Sequence, residues 1–316
     1  MTKNLFEFAT KELSQDAFLR WLFENWNSDQ NDVRLTSRTL ITEVFGTDIN
    51  FDKVVEFKTR AQERKIDLVI NFKAEDVQYT IIIEDKTYTM SHDDQLNIYK
   101  SYVDKKYKDN LVKFVYYKSN IISNDERLDV EKNGWEVFDI NRINGIFSDS
   151  FIYPKNNILC DYVEHIAKLY NDLTQELPMN VSDWNMNHWV NFYYNNNLKI
   201  PEKIAFGYNN YRGQYIYLVF NIKEMWQKNP YGEIRSRDFT RDSKFTLRIL
   251  MYDTEQEYLN KYLNEWKAKF GSSELFMLQN YKQQLAISLN SDEVYNKKDL
   301  EKNLQKYIDE YARLMI

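Results

Sequence analysis

Cysteine is nearly absent from this chain of 316 residues, with Cys160 the single one. No disulfide forms within the chain, and no cysteine-based zinc site is available. Beside Leu159 and Val163 it reads as a small, inert residue on a helix, and a reducing compartment suits it. Glycine and proline are scarce, at 7 and 4. That argues against disorder and against a glycine-rich loop cradling phosphate. No run reaches the roughly 18 apolar residues needed to cross a bilayer. The start, Met1 to Phe8, lacks the charged stretch and apolar run of a secretory signal. The expectation is a cytoplasmic protein with no membrane partner. Histidine is rare as well. His92, His165 and His188 are not at paired ligand spacing, and no Ser-His-Asp, Cys-His or Walker-type arrangement is visible.

What is present points to a packed core. Hydrophobic residues make up 43 % and charged residues 28 %, ordinary for a folded soluble chain. The length suits one large domain or two of common size. The formal net charge of −6 sits awkwardly with nucleic-acid binding, which is driven by phosphate neutralisation. Charge is local, however. Six lysines (100, 105, 106, 108, 113 and 118) stand against two aspartates between Ile98 and Lys118. They read either as one wall of a nucleic-acid groove or as a solvated face.

Apolar spacing predicts a helix from Lys11 to Trp26, with Ser14 as its N-cap and Asp16 in its first turn. A second helix is expected over Arg34 to Phe45 and a short strand over Val54 to Lys58. Lys65 to Phe72 and Tyr79 to Asp85 are rich in strand formers and are separated by a short polar stretch. They read as an antiparallel hairpin with a loop of about four residues. Further elements are a helix over Asp93 to Lys105, a strand over Leu111 to Lys118, a short strand over Trp135 to Asp139, and helices over Ile158 to Leu173 and Ser182 to Tyr194. Strands are expected from Tyr208 to Phe220, turning at Arg212-Gly213, and within Phe245 to Tyr252 and Leu275 to Leu289. Helices are expected over Glu255 to Phe270 and Ser291 to Met315. Thr174 to Ser182, holding Pro178, is the best boundary, so residues 1–177 and 178–316 form the two expected domains.

With the hairpin loop centred between Glu75 and Asp76, Asp67 faces Glu84. Strand side chains alternate, so Glu84 and Lys86 share a face. Opposed Cβ atoms lie about 4.5–5.5 Å apart, and like charges there destabilise the pair. A divalent cation removes the repulsion. Mg²⁺ takes one or two carboxylates with waters and phosphate, and Asp67, Glu84 and the Asp85 carbonyl supply such a partial cage. Lys86 is placed to orient an attacking water or to stabilise developing charge.

Asp67 before an apolar run, then Ile81 to Lys86, then Gln95-Leu96-Asn97-Ile98-Tyr99, together resemble the PD-(D/E)XK nuclease superfamily, over roughly residues 4 to 140. The last stretch is similar to the Gln-x-x-x-Tyr motif of its exonuclease-like and recombination-type branches. Asp16 resembles the acid on the first helix of those enzymes, and Ile66 stands where a proline commonly precedes the aspartate. The resemblance implies a restriction-endonuclease-like αβββαβ core with a mixed sheet. It also implies Mg²⁺- or Mn²⁺-dependent hydrolysis of phosphodiester bonds, with DNA the expected substrate and phage defence a role by family association. Asp67, Glu84, Lys86 and Gln95 would be catalytic, and Asp67, Glu84, Asp85 and Asp16 would ligate metal. Gln95, Tyr99 and Arg64 would touch substrate.

Taken alone, Tyr99 is an ordinary core aromatic and Asp16 an ordinary first-turn acid. Glu56 is a candidate supporting acid, and His92 a candidate phosphate contact. The rival reading is a nuclease fold kept as a binding module for nucleic acid or protein; an RNA-cleaving effector is a third. Residues 178–316 are expected to form an accessory α/β (α+β) domain for substrate or partner recognition. Its aromatics from Trp184 to Tyr217 suit a core, or the interface of a homodimer.

Overall fold

A computed structural model describes residues 3–8, 12–47, 49–87, 89, 91, 94–148, 154–199, 204–209, 215–220, 231–236, 245–250, 264, 268, 276–281, 284–289 and 296–315. The chain divides into two compact units, Met1–Leu173 and Thr174–Ile316.

The first unit opens with α1 (Glu12–Glu24) and α2 (Asn31–Phe45). Helix α1 begins at Glu12, so the expectation that Ser14 caps it is corrected. Ser14 lies inside the helix, and Asp16 falls one turn deeper, where it is buried. Three strands follow: β1 (Val54–Glu63), β2 (Ile66–Ala74) and β3 (Val77–Lys86). Then come α3 (Gln95–Lys106), β4 (Leu111–Lys118), α4 (Asn124–Lys132), β5 (Glu136–Phe138), α5 (Ile140–Ser148) and α6 (Asn157–Thr174). The five strands form one sheet in the order β1-β2-β3-β4-β5. The first three run antiparallel as a meander, and β3, β4 and β5 run parallel. This mixed sheet with flanking helices is the expected αβββαβ succession. A parallel step needs a crossover, and α3 supplies it between β3 and β4.

Strand β3 is central and buried from Thr80 to Lys86, so Ile81, Ile82 and Ile83 run apolar without alternation before the strand ends in the buried Glu84, Asp85 and Lys86. One face packs Val69, Ile82 and Tyr116 against Leu96, Tyr99 and Val103 of α3 and Val130 of α4. On the other face, Phe72 meets Phe45 of α2, and the Tyr117 and Tyr162 hydroxyls bond at 2.9 Å. Each fully buried aliphatic side chain here contributes about 1.5–3 kcal/mol.

The β2–β3 hairpin pairs Ala74 with Val77, so its loop is Glu75-Asp76 alone, shorter than expected, with Glu75 at φ 54°. Strand β1 is longer than the expected Val54–Lys58. A bulge between Val55 and Lys58 holds Glu56 at φ 55°, and the strand then runs on through polar residues to Glu63. Helices α4 and α5 were not foreseen; both are short, and α4 carries little apolar periodicity.

The second unit contains α7 (Met186–Tyr194) and a six-stranded antiparallel sheet. Its strands are β6 (Ile204–Asn209), β7 (Tyr215–Phe220), β8 (Tyr231–Ser236), β9 (Phe245–Leu250), β10 (Phe276–Tyr281) and β11 (Gln284–Leu289). They are ordered β10-β11-β9-β8-β7-β6. Helix α8 (Lys297–Met315) follows. The expected turn at Arg212-Gly213 lies outside the described residues, as do His92 and nearly all of the helix expected over Glu255 to Phe270. Among the described residues, no helix is long and apolar enough to cross a membrane.

Candidate active site

The β2–β3 register runs from Ala74↔Val77 to Leu68↔Ile83, and one further step puts Asp67 opposite Glu84. Asp67 and Glu84 therefore share the sheet face of Val69 and Ile82, the face that α3 covers. Lys86 follows on the same side, and its Nζ donates to Glu84 Oε1 at 2.5 Å and to the Asp85 carbonyl at 3.2 Å. The Asp85 carbonyl oxygen thus lies within reach of the Glu84–Lys86 pair. The Asp85 side chain belongs to the opposite face, where its Oδ1 accepts from Gln15 Nε2. Asp67 is held at both oxygens. The Asp85 amide donates to Oδ2 at 2.8 Å and Gln62 Nε2 to Oδ1 at 3.1 Å.

Gln95 opens α3 beside the end of β3. Its Nε2 donates to Glu84 Oε1 and to the Tyr99 hydroxyl, each at 2.8 Å. The Tyr99 hydroxyl donates in turn to the Lys65 carbonyl at 2.8 Å. Tyr99 is 6 % exposed, and its hydroxyl ties Gln95 to the β1–β2 turn. Arg64 lies at that turn and is exposed.

The acids are buried together. Asp16 is 9 % exposed, and Glu84 and Asp85 are each 1 % exposed. Burial pushes the Glu84 carboxyl up to about 8; Lys86 opposes the rise and Asp67 adds to it. Burial likewise lifts Asp16 to about 7, with the Asp67 charge adding to it. Asp85 is raised by burial and then by Asp16. For Lys86, burial works to lower the pKa, but the Glu84 carboxylate outweighs it and the ammonium is held above its ordinary value.

Six buried side-chain atoms among the described residues have no hydrogen-bond partner, and three are carboxylate oxygens of this cluster: Asp16 Oδ1, Glu84 Oε2 and Asp85 Oδ2. A buried acceptor without a donor is costly, and an ion is one of the few things that removes the cost. No three His, Cys, Asp or Glu side chains among the described residues are gathered closely enough to ligate an ion by themselves. The oxygens present, from Asp67, Glu84 and the Asp85 carbonyl, are of the kind hard cations take, and among the described residues they do not make an all-protein cage.

Several expectations are relocated. Glu56 sits opposite the Phe72 end of β2, five residues from Asp67, or about 17 Å along the strand; it does not support the acids. The six lysines do not form one wall. Lys118 is buried, pairs with Glu126 at 3.2 Å and donates to the Thr89 carbonyl at 2.6 Å. Lys106 pairs with Glu63 at 2.6 Å. Sequence reasoning missed Gln62 and Gln15, which hold the acids from β1 and α1. It also missed Glu12, which accepts from the Thr87 amide and the Thr89 hydroxyl just past β3, each at 3.0 Å.

No curated protein and no solved structure matches the chain. Residues 3–157 match the family model described as PD-(D/E)XK nuclease superfamily, and over that stretch the chain belongs to this superfamily of phosphodiester-cleaving enzymes.

Proposed function

We propose that the first unit is a Mg²⁺- or Mn²⁺-dependent deoxyribonuclease that hydrolyses phosphodiester bonds at the end of β3. The observation that carries this reading is the bare, buried Glu84 Oε2 beside Asp67, with Lys86 on the other Glu84 oxygen. Asp67, Glu84 and the Asp85 carbonyl would hold the cation, with waters and substrate phosphate completing its shell. When bound, it would polarise the scissile phosphate and lower the pKa of water.

The protein's own groups divide the remaining work. Lys86 is an ammonium at neutral pH because Glu84 faces it. It is therefore a donor that stabilises charge on the phosphate and orients the entering water, not a proton acceptor. The water oxygen adds to phosphorus, the bond to the leaving oxygen breaks, and the water's proton leaves to solvent while the leaving oxygen is protonated. Gln95 and Gln62 hold Glu84 and Asp67 in place through the hydrogen bonds described above. The single cysteine is consistent with a cytoplasmic location.

The test is incubation with single-stranded, linear and circular DNA and with RNA, in Mg²⁺ or Mn²⁺ and with a chelator. Cleavage of DNA that needs the cation, and a loss of about 10²–10³-fold in Lys86→Ala, is expected. Activity that survives the chelator, or equal trace activity in wild type and Lys86→Ala, overturns the reading. Cleavage of RNA alone replaces DNA as its substrate.

A further inference from the structure

The β1–β2 connection is a turn of two residues, Arg64 and Lys65, closed by the pair Glu63↔Ile66. Both residues have positive φ, 55° and 73°. That is the signature of a type I′ turn, whose easy occupants are Asn-Gly because a Cβ is unfavourable there. Two long cations occupy it instead. Gln62, just before, is also left-handed at φ 56°. Strained non-glycine residues persist only where surrounding contacts hold them, and they gather at ligand clamps. Here the Lys65 amide donates to the Gln62 carbonyl at 3.4 Å, and the Lys65 carbonyl accepts from Tyr99.

The two cations are also left free. Glu63, next to them, is already taken by Lys106 at 2.6 Å and by Arg60 at 3.4 Å. No ion pair among the described residues engages Arg64 or Lys65. The Arg64 guanidinium lies 6.0 Å from the centre of the Tyr102 ring, and both residues are exposed. Lys65 precedes Asp67 by two residues, about 7 Å along the strand. Its carbonyl is tied to Glu84 by an unbroken chain, through the Tyr99 hydroxyl and the Gln95 amide.

We propose that the Arg64-Lys65 turn is a grip for the phosphodiester backbone of the nucleic acid, set at a fixed distance from the acids by the Tyr99–Gln95 chain. The proposal rests on the nuclease reading for the identity of the ligand. The grip supplies local positive charge that a net charge of −6 does not. It positions without reading sequence, as backbone contacts do.

The test reads binding rather than cleavage, so it stands apart from the test of catalysis. In a Lys86→Ala background, the affinity for a fluorescein-labelled DNA strand, and separately for its duplex, is measured across a salt series by anisotropy. Arg64→Asn together with Lys65→Gly supplies the preferred residues for this turn, so the melting temperature should hold or rise. Affinity for the tighter probe should nonetheless fall about tenfold, and the slope of log K against log salt should become shallower by about 1.8, roughly 0.9 for each lost phosphate contact. Arg64→Lys should keep the slope. An unchanged slope in the Asn-Gly protein overturns the proposal. Should that variant melt lower, Arg64→Gln with Lys65→Gln is read by the same criterion. Loss of cleavage in the wild type with the slope difference intact would sink the nuclease reading and leave the grip standing.

Discussion

Glu84 is 1 % exposed, beside Asp67, with one oxygen lacking any donor. Its carboxyl is at about 8 in the folded protein against an ordinary 4.5. A folded-state pKa above the unfolded one means the native state binds the proton more tightly. The stability tied to it is present below about 4.5 and is lost as pH rises through about 8. Glu84→Gln removes the titration and the repulsion from Asp67. In chelator, this variant should melt several degrees higher than wild type at pH 8, and the gap should close near pH 4.5. The same variant should be inactive. A wild type that is equally stable or more stable at pH 8 would count against a strained acid. That Asp67, Glu84 and Lys86 share a face was legible because strand alternation fixes which side chains meet, and Gln95 and Tyr99 share a helix face by their spacing; Asp16 was singled out by the resemblance alone. Gln62 and Gln15 were not. Gln62 reaches Asp67 only because β1 extends through a polar stretch of low strand propensity, and Gln15 meets Asp85 across 70 positions of sequence.

Elements with a strong period were read closely. Strand β4 has the expected bounds, Leu111–Lys118, and the hairpin register follows the expected pairing throughout. Boundaries were missed where a side chain gave a false signal, as Ser14 did inside α1, or where the strand was mostly exposed, as β1 is. Short helix α4 escaped because it buries only Glu126 and Val130; α5 escaped although Ile140, Ile143 and Phe147 recur at helical spacing, because nine residues give the pattern only two turns. The end of α2 is sharper. Gly46 stands at φ 65°, and its amide donates to the Thr42 carbonyl at 2.8 Å. A Cβ added there meets nothing within 4 Å, so Gly46→Ala tests the backbone alone. It should cost about 1–2 kcal/mol, read as a melting temperature lower by several degrees with nuclease activity per folded molecule unchanged. A neutral result would mean the helix end relaxes without the left-handed residue.

At the scale of the whole molecule, the chain carries more acid than base, and among the described residues the two most buried acids, Glu84 and Asp85, stand at the end of one strand. The second unit was legible as alternating strands, although β8 was missed because Tyr231–Ser236 is interrupted by glycine and charge. Its function was not legible, since no set of chemistry-bearing residues stands out in its sequence. The proposed cation site ties the stability of the first unit to cation concentration. A cation binds the deprotonated acids, and Asp16 at about 7 and Glu84 at about 8 are mostly protonated at pH 5. Mg²⁺ at a hundredfold excess over its Kd stabilises the native state by about 2.7 kcal/mol. The melting transition of the first unit should therefore rise by roughly 5–10 °C on adding Mg²⁺ at pH 8.5. The rise should shrink to near zero at pH 5 and vanish in Glu84→Gln at both values. Calorimetry in matched ionic strength separates this from screening, because Na⁺ lacks the charge to bridge two carboxylates. Equal shifts at both pH values, or an undiminished shift in Glu84→Gln, would place the bound cation away from these acids.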